Sequence, residues 1–172
     1  SGRSGSRPRN RRPPTRSDFP KTVIEFEERF TSEGSCYAYL AKQRWPDGFR
    51  CLVAHDGNLD ERAAYFDTEE LWFPEWDHRG TPWDNPEGYE KHTPVNFIKN
   101  WKTPMLVVHG GQDFRVVETQ GLSTFNALQR KGIPSKLLYF PDENHWVLKP
   151  HNGILWHETV LAWMDQWCKD KK

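Results

Sequence analysis

From Trp45 onward the chain alternates apolar runs, turn signals and helical spacings, most regularly beyond Thr103. Met105-Leu106-Val107-Val108-His109 is an unbroken apolar run, preceded by Pro104 and closed by Gly110-Gly111. A short run without polar alternation predicts a strand covered on both faces, as in a parallel sheet. Val117 to Lys131 then carries Leu122, Phe125 and Leu128 at helical spacing and meets Gly132, a residue that tolerates the left-handed conformation in which helices commonly end. Lys136 to Phe140 predicts the next strand, and Gly153 to Cys168 a last helix with Leu155, Val160, Leu161, Met164 and Trp167 on its apolar stripe. Upstream, Phe49 to Ala54 predicts a short buried strand closed by Asp56-Gly57, and residues 59 to 72 a helix through Leu59, Ala63, Phe66 and Leu71. Strand, helix, strand, helix with buried strands is the pattern of an α/β fold, a mostly parallel sheet with flanking helices.

Three stretches lack that regularity. Phe73 to Tyr89, rich in Trp, Pro and Gly, predicts a loop or short-helix excursion whose aromatic load covers something. Residues 17 to 44 show apolar positions without a sustained period, and Val23 to Phe30 fits either a short amphipathic helix or a strand. Residues 1 to 16 hold six Arg and no acidic or aromatic residue; such a segment cannot bury enough surface to offset its ordering entropy and is expected to be disordered. A basic arm on nucleic acid would interleave aromatics, which are missing here. The chain therefore divides into an Arg-rich segment (1–16), an uncertain segment (17–44) and an α/β region (45–169).

Composition refines the picture. With 9 Trp, 10 Phe and 5 Tyr against a mean hydropathy of −0.89, large rings must carry much of the core. Lys+Arg and Asp+Glu balance at 24 each, which argues against a nucleic-acid partner or an acidic solvating tail. Cys36, Cys51 and Cys168 are odd in number and without metal-ligand spacing, so free thiols are expected rather than a disulfide framework or zinc site. No run approaches the ~20 apolar residues that cross a bilayer, and no basic-then-apolar signal peptide opens the chain, so no membrane partner is expected.

Two predicted strand ends carry candidate chemistry. Asp113 follows the strand ending at His109, and His145 follows the strand ending at Phe140. In a parallel sheet such loops converge over one crevice, where a carboxylate can fix the tautomer of an imidazole and stabilise its protonated form. Position alone also fits blander roles: an Asp between strand and helix is often an N-cap, and a lone loop His is often a surface residue. The pair in the order Asp then His, on consecutive strand ends, brings the catalytic role level with these alternatives.

At these residues the chain resembles a known family. Thr103-Pro104-Met105-Leu106-Val107-Val108-His109-Gly110-Gly111-Gln112-Asp113-Phe114-Arg115-Val116 is similar to the Asp segment of the prolyl oligopeptidase family, and Phe140-Pro141-Asp142-Glu143-Asn144-His145-Trp146-Val147 to its His segment. Similarity runs from about Trp45 to Trp167, includes Asn85-Pro86-Glu87-Gly88-Tyr89-Glu90, and is closest to the branch containing dipeptidyl peptidase five. The resemblance implies an α/β-hydrolase fold, an Asp113 and His145 belonging to a Ser-Asp-His triad, no cofactor or metal, and peptide substrates, often with a free N-terminus. Arg115 and Trp146 are the pocket candidates beside the pair.

The third triad member is the point of departure. The family presents its Ser on a Gly-x-Ser-x-Gly elbow, where small residues let a strand turn sharply into a helix, and no such pentapeptide occurs here. At the family's distance upstream of Trp45-Pro46-Asp47 stands Ser32, in Phe30-Thr31-Ser32-Glu33-Gly34, which keeps only the last Gly; Ser35 is weaker still. The length of 172 residues is short for this fold, and an Arg/Ser/Gly/Pro-rich opening is what out-of-frame GC-rich sequence yields, so the chain reads as an α/β hydrolase truncated at its N-terminal side. Two functions compete on these grounds: a serine-peptidase catalytic fragment, or an inactive hydrolase remnant that binds a partner or itself through an exposed sheet edge.

Overall fold

The computed structural model describes residues 21–32, 35, 38–39 and 48–168; the Arg-rich segment 1–16 lies outside them. The chain falls into two units, Ser1–Phe49 and Arg50–Lys172. In the first, the ambiguous apolar stretch is a helix, α1 (Val23–Arg29). Its start is set by Thr22, whose hydroxyl accepts the Glu25 amide, while the Glu25 carboxylate reaches back to the Lys21 amide at 2.8 Å. This is close to the reciprocal capping arrangement that Ser/Thr-x-x-Glu encodes.

The second unit is built on three parallel strands in the order β1 (Leu52–His55), β2 (Met105–Gly110), β3 (Ser135–Phe140). The unbroken apolar run of β2 is covered on both faces. Leu106 and Val108 point into one core with Leu138, Phe140, Val160 and Trp163, while Val107 enters the other with Leu128 and Ile133. Successive side chains of a strand face opposite ways, so a strand between two helical layers has no solvent-facing position on which to place polar residues. The first core is closed by α6 (Pro150–Cys168) and the second by α5 (Glu118–Arg130). Gly132 ends α5 at φ +65°, with the Ile133 amide donating to Leu128 and the Gly132 amide to Gln129; these paired bonds are the Schellman form of helix termination.

Between β1 and β2 lie three short helices, α2 (Glu61–Asp67), α3 (Trp72–Asp77) and α4 (Pro86–His92), followed by a 3-10 turn (Pro94–Asn100). Of these, α3 and α4 give the aromatic stretch the short-helix form, one of its two expected alternatives. The helix predicted over 59–72 is shorter than expected: α2 stops at Asp67 with Thr68 as its cap, and α3 begins only at Trp72. Helices this short are not stable alone, and tertiary bonds hold them. The Tyr65 hydroxyl donates to Glu75 at 2.9 Å, and Asn85 Nδ2 to the His78 carbonyl at 2.7 Å. Gln120 of α5 accepts the amides of both Leu59 and Asp60 at 3.0 Å, anchoring the entry to α2. Among the described residues, no helix is long and apolar enough to cross a membrane.

Candidate active site

Asp113 and His145 meet at the carboxyl ends of β2 and β3. His145 Nδ1 donates to Asp113 Oδ2 at 2.9 Å. Asp113 is 3% exposed and its other oxygen accepts the amides of Arg115 and Val116, each at 2.9 Å. The N-cap alternative for Asp113 fails, because α5 begins after Val117 with no side-chain cap; the carboxylate instead folds its own loop and faces the imidazole. With Nδ1 committed, Nε2 is the nitrogen of His145 left for proton transfer, the assignment a general base requires.

The loop carrying His145 is fixed by a buried carboxylate. Glu143 is 3% exposed and accepts the Leu148 and Lys149 amides at 3.0 Å and Asn152 Nδ2 at 2.7 Å, so it straps the loop to the start of α6. From the other side, the Gln112 amide donates to the Glu143 carbonyl at 2.9 Å. Gly110 makes this approach possible: a Cβ there would lie 2.2 Å from the Asn144 carbonyl oxygen. Burial opposes the Glu143 charge but is outweighed by Asn152 and the two amides, and its carboxyl titrates below the ordinary value. A carboxylate depressed by folding contributes stability that is whole above its unfolded pKa, about 4.3, and is lost as pH falls through the folded value. Glu143→Gln should therefore cost on the order of 1.5–3 kcal/mol at neutral pH. It should also flatten the fall in melting temperature of the native chain between pH 5 and 3, followed by calorimetry.

A second carboxylate, which the sequence reading took only for a turn residue, stands beside the pair. Asp56, just past β1, holds φ +50°, a region where a non-glycine residue is held by its surroundings and which recurs at functional sites. Its Oδ2 lies 3.0 Å from His55 Nε2 and 3.9 Å from His145 Nδ1, and its Oδ1 lies 3.8 Å from Nδ1 of the fully buried His109. His109 donates from Nε2 to the Val116 carbonyl at 2.7 Å, and a Cβ on Gly121 would collide with its ring at 2.4 Å. All three strands thus deliver an acid or imidazole to one spot. The rule that selected Asp113 and His145, polar groups just beyond strand ends, would have selected Asp56 had it been applied to β1. Asp56, Asp113 and His145 are the group among the described residues whose three potential metal ligands come within 4.8 Å of one another; the proton that joins Nδ1 to Asp113 leaves that nitrogen no lone pair for a cation.

His145 borders two cavities. The larger, about 290 Å³, is lined by residues of the aromatic excursion and its neighbours, including Tyr65, Phe73, Pro74 and His78, and by Arg115. The smaller, about 130 Å³, is bounded by Phe114, Asn144 and Trp146. Arg115 reaches both: its guanidinium makes a two-pronged ion pair with Glu70, at 2.8 and 2.7 Å, and lies 5.7 Å from the centre of the exposed Trp146 ring. Phe73 therefore joins the wall, whereas Trp76 is 81% exposed and does not line either cavity.

Ser32 belongs to the other unit, where helix α1 rather than a strand precedes it. Its hydroxyl accepts the Ser35 amide at 3.2 Å, and its carbonyl accepts the Ser35 hydroxyl at 2.6 Å. That is the local bonding of a turn, without the strand an elbow needs.

Comparison with known proteins places this architecture. The chain is 50% identical over 122 residues to dipeptidyl-peptidase 5 of Schizosaccharomyces pombe, covering 71% of this chain and 18% of that protein. It is 42% identical over 125 residues to dipeptidyl-peptidase 5 of Porphyromonas endodontalis, covering 70% and 18%. The chain thus spans less than a fifth of the length of these relatives. Among solved structures, the acylaminoacyl peptidase of Pyrococcus horikoshii superposes with a TM-score of 0.65 at 21% identity, over 73% of this chain and 21% of that one. A puromycin-hydrolyzing peptidase of Mycobacterium tuberculosis gives 0.64 at 21% identity, over 70% and 19%. The parallel sheet and its flanking helices are an α/β-hydrolase fold. The sequence model described as the prolyl oligopeptidase family matches residues 31–171, and with that span, those relatives and this fold the chain belongs to the prolyl oligopeptidase family.

Proposed function

We propose that this chain carries the acid and base of a serine peptidase that releases short peptides, with Asp113 orienting His145 and His145 Nε2 moving the proton. The observation that supports the reading is the 2.9 Å Asp113–His145 hydrogen bond at adjoining strand ends. In the reaction, His145 would take the proton of a serine hydroxyl as it attacks the peptide carbonyl, and return it to the leaving amine. Asp113, which accepts two backbone amides besides the His145 bond, holds the imidazole in place through the transfer. Asp56 sets a second carboxylate near the ring. Arg115 and Trp146 would form the rim that receives the peptide.

Ser32, held in a turn after a helix, is not assigned as the nucleophile. The test is a chimera in which the upstream part of the S. pombe relative, serine elbow included, is joined to residues 45–172. Labelling by a fluorophosphonate probe and release of dipeptide from a chromogenic substrate support the proposal if both are lost in His145→Ala and kept in Ser32→Ala. Retention of activity in a folded His145→Ala chimera refutes it. In the same chimera Trp146→Ala should raise KM with little change in melting temperature, because the ring is exposed and bears on the pocket rather than the core.

One observation favours a second behaviour for the chain on its own. No described strand pairs with the outer edge of β1 or of β3, and open edges pair with other chains. Light scattering on the purified chain should then return a mass above that of the monomer.

A further inference from the structure

Far in sequence from each other, two of the three cysteines arrive at the same place. Cys51 immediately precedes β1 and Cys168 is the last residue of α6, 117 positions away, yet their Sγ atoms stand 3.4 Å apart. The approach is enforced from both sides. Arg50 donates from Nη1 to the Cys168 carbonyl at 3.1 Å, and the indole of Trp163 donates to the Leu52 carbonyl at 3.1 Å. Cys51, like Trp167, also packs against the core cluster that contains Trp163. The sulfurs are therefore held by the fold of the chain around them. A disulfide needs about 2.0 Å between sulfurs, a closure that small side-chain rotations supply. Both thiols are free in the structure, as cysteine spacing leads one to expect.

We infer that Cys51 and Cys168 are a dithiol built to close into an intramolecular disulfide, fastening the end of α6 to the start of β1, with a small-molecule disulfide of the glutathione class as oxidant. The half-exposed order of the two thiols sets the sequence of events: Cys168 is exposed and Cys51 partly buried. The Cys168 thiolate attacks one sulfur of glutathione disulfide, forming a mixed disulfide and releasing one glutathione thiolate. The Cys51 thiolate then attacks the Cys168 sulfur and expels the second. Two protein thiols are oxidised, one glutathione disulfide is reduced to two glutathiones, and the two thiol protons leave with them. Burial, followed by the Cys168 thiol beside it, pushes the Cys51 thiol up to about 11, so the closing step should quicken as pH rises. The bond would span nearly the whole second unit. Loops of that length gain most from closure.

The experiment uses the full chain, reduced, freed of reductant and incubated with glutathione disulfide. Thiols are then alkylated under denaturing conditions, and peptides are mapped by mass spectrometry. The expected result is a Cys51–Cys168 linked peptide with Cys36 alkylated, and a melting temperature about 10 °C above that of the reduced chain. Cys36→Ser should keep both the bond and the shift, and Cys168→Ser, a change at an exposed helix end that spares the core, should abolish both. A glutathione adduct that persists on Cys168 while Cys51 remains alkylatable would overturn the inference, as would a bridge to Cys36 or a Cys51–Cys168 bond that leaves the melting temperature unmoved.

Discussion

The purified 172-residue chain should hydrolyse dipeptide substrates about a million-fold more slowly than the chimera that restores a serine elbow. Loss of the nucleophile from a serine-protease triad costs about 10⁶ in turnover, and the remaining members do not compensate, because each acts only on the serine or on the other. The geometry at Asp113 and His145 does not alter this expectation: a base does nothing without a nucleophile whose proton it can take. Ser32 would have to supply it, and it follows a helix in a turn rather than the strand an elbow needs. Progress curves on chain and chimera at equal concentration make the comparison. Turnover by the chain alone, abolished separately by Ser32→Ala and His145→Ala, would make Phe30-Thr31-Ser32-Glu33-Gly34 a working elbow and refute the expectation.

In the chimera, Asp113→Asn should lower kcat about 10⁴-fold, the effect of the same change in a serine-protease triad. The physical cause can be read from the three bonds the carboxylate accepts. An amide side chain can still accept the Arg115 and Val116 amides through its oxygen, so the loop should keep its shape. Its nitrogen then faces Nδ1 of His145, donor against donor. The imidazole escapes by moving its proton to Nε2, the position that must be empty to receive the serine proton. Unchanged melting temperature together with the loss of kcat identifies this cause; an equal loss of both would point to misfolding instead.

The strands and long helices were legible in the sequence because burial on two faces leaves a plain signature. β2 could be nothing polar, and α5 announced its end at Gly132. The site was legible where one physical rule sufficed, the convergence of loops at strand ends, and it was missed where that rule was not carried through, at Asp56. His109 could not be told from the apolar run around it, since its role depends on Gly121 lying against its ring. The aromatic excursion resisted for another reason. Helices of six or seven residues have no period to detect, and α3 and α4 owe their order to bonds such as Tyr65 to Glu75 and Asn85 to the His78 carbonyl. For α1, Thr22-Val23-Ile24-Glu25 was a visible start signal within an otherwise ambiguous stretch. Cysteine spacing says nothing about pairs joined only by the return of α6 to β1.

The strap that Glu143 places on its loop bears on how a peptide would spend its binding energy. An imidazole on a loose loop surrenders rotational freedom each time substrate arrives, and that loss is subtracted from every encounter. Here the loop is pinned to α6 by two amides and Asn152 and to β2 by Gln112, so the freedom is given up once, as the chain folds. Alignment of the base becomes a property of the resting molecule. On the proposed reading, what a bound peptide would still have to organise is the attacking group rather than the base.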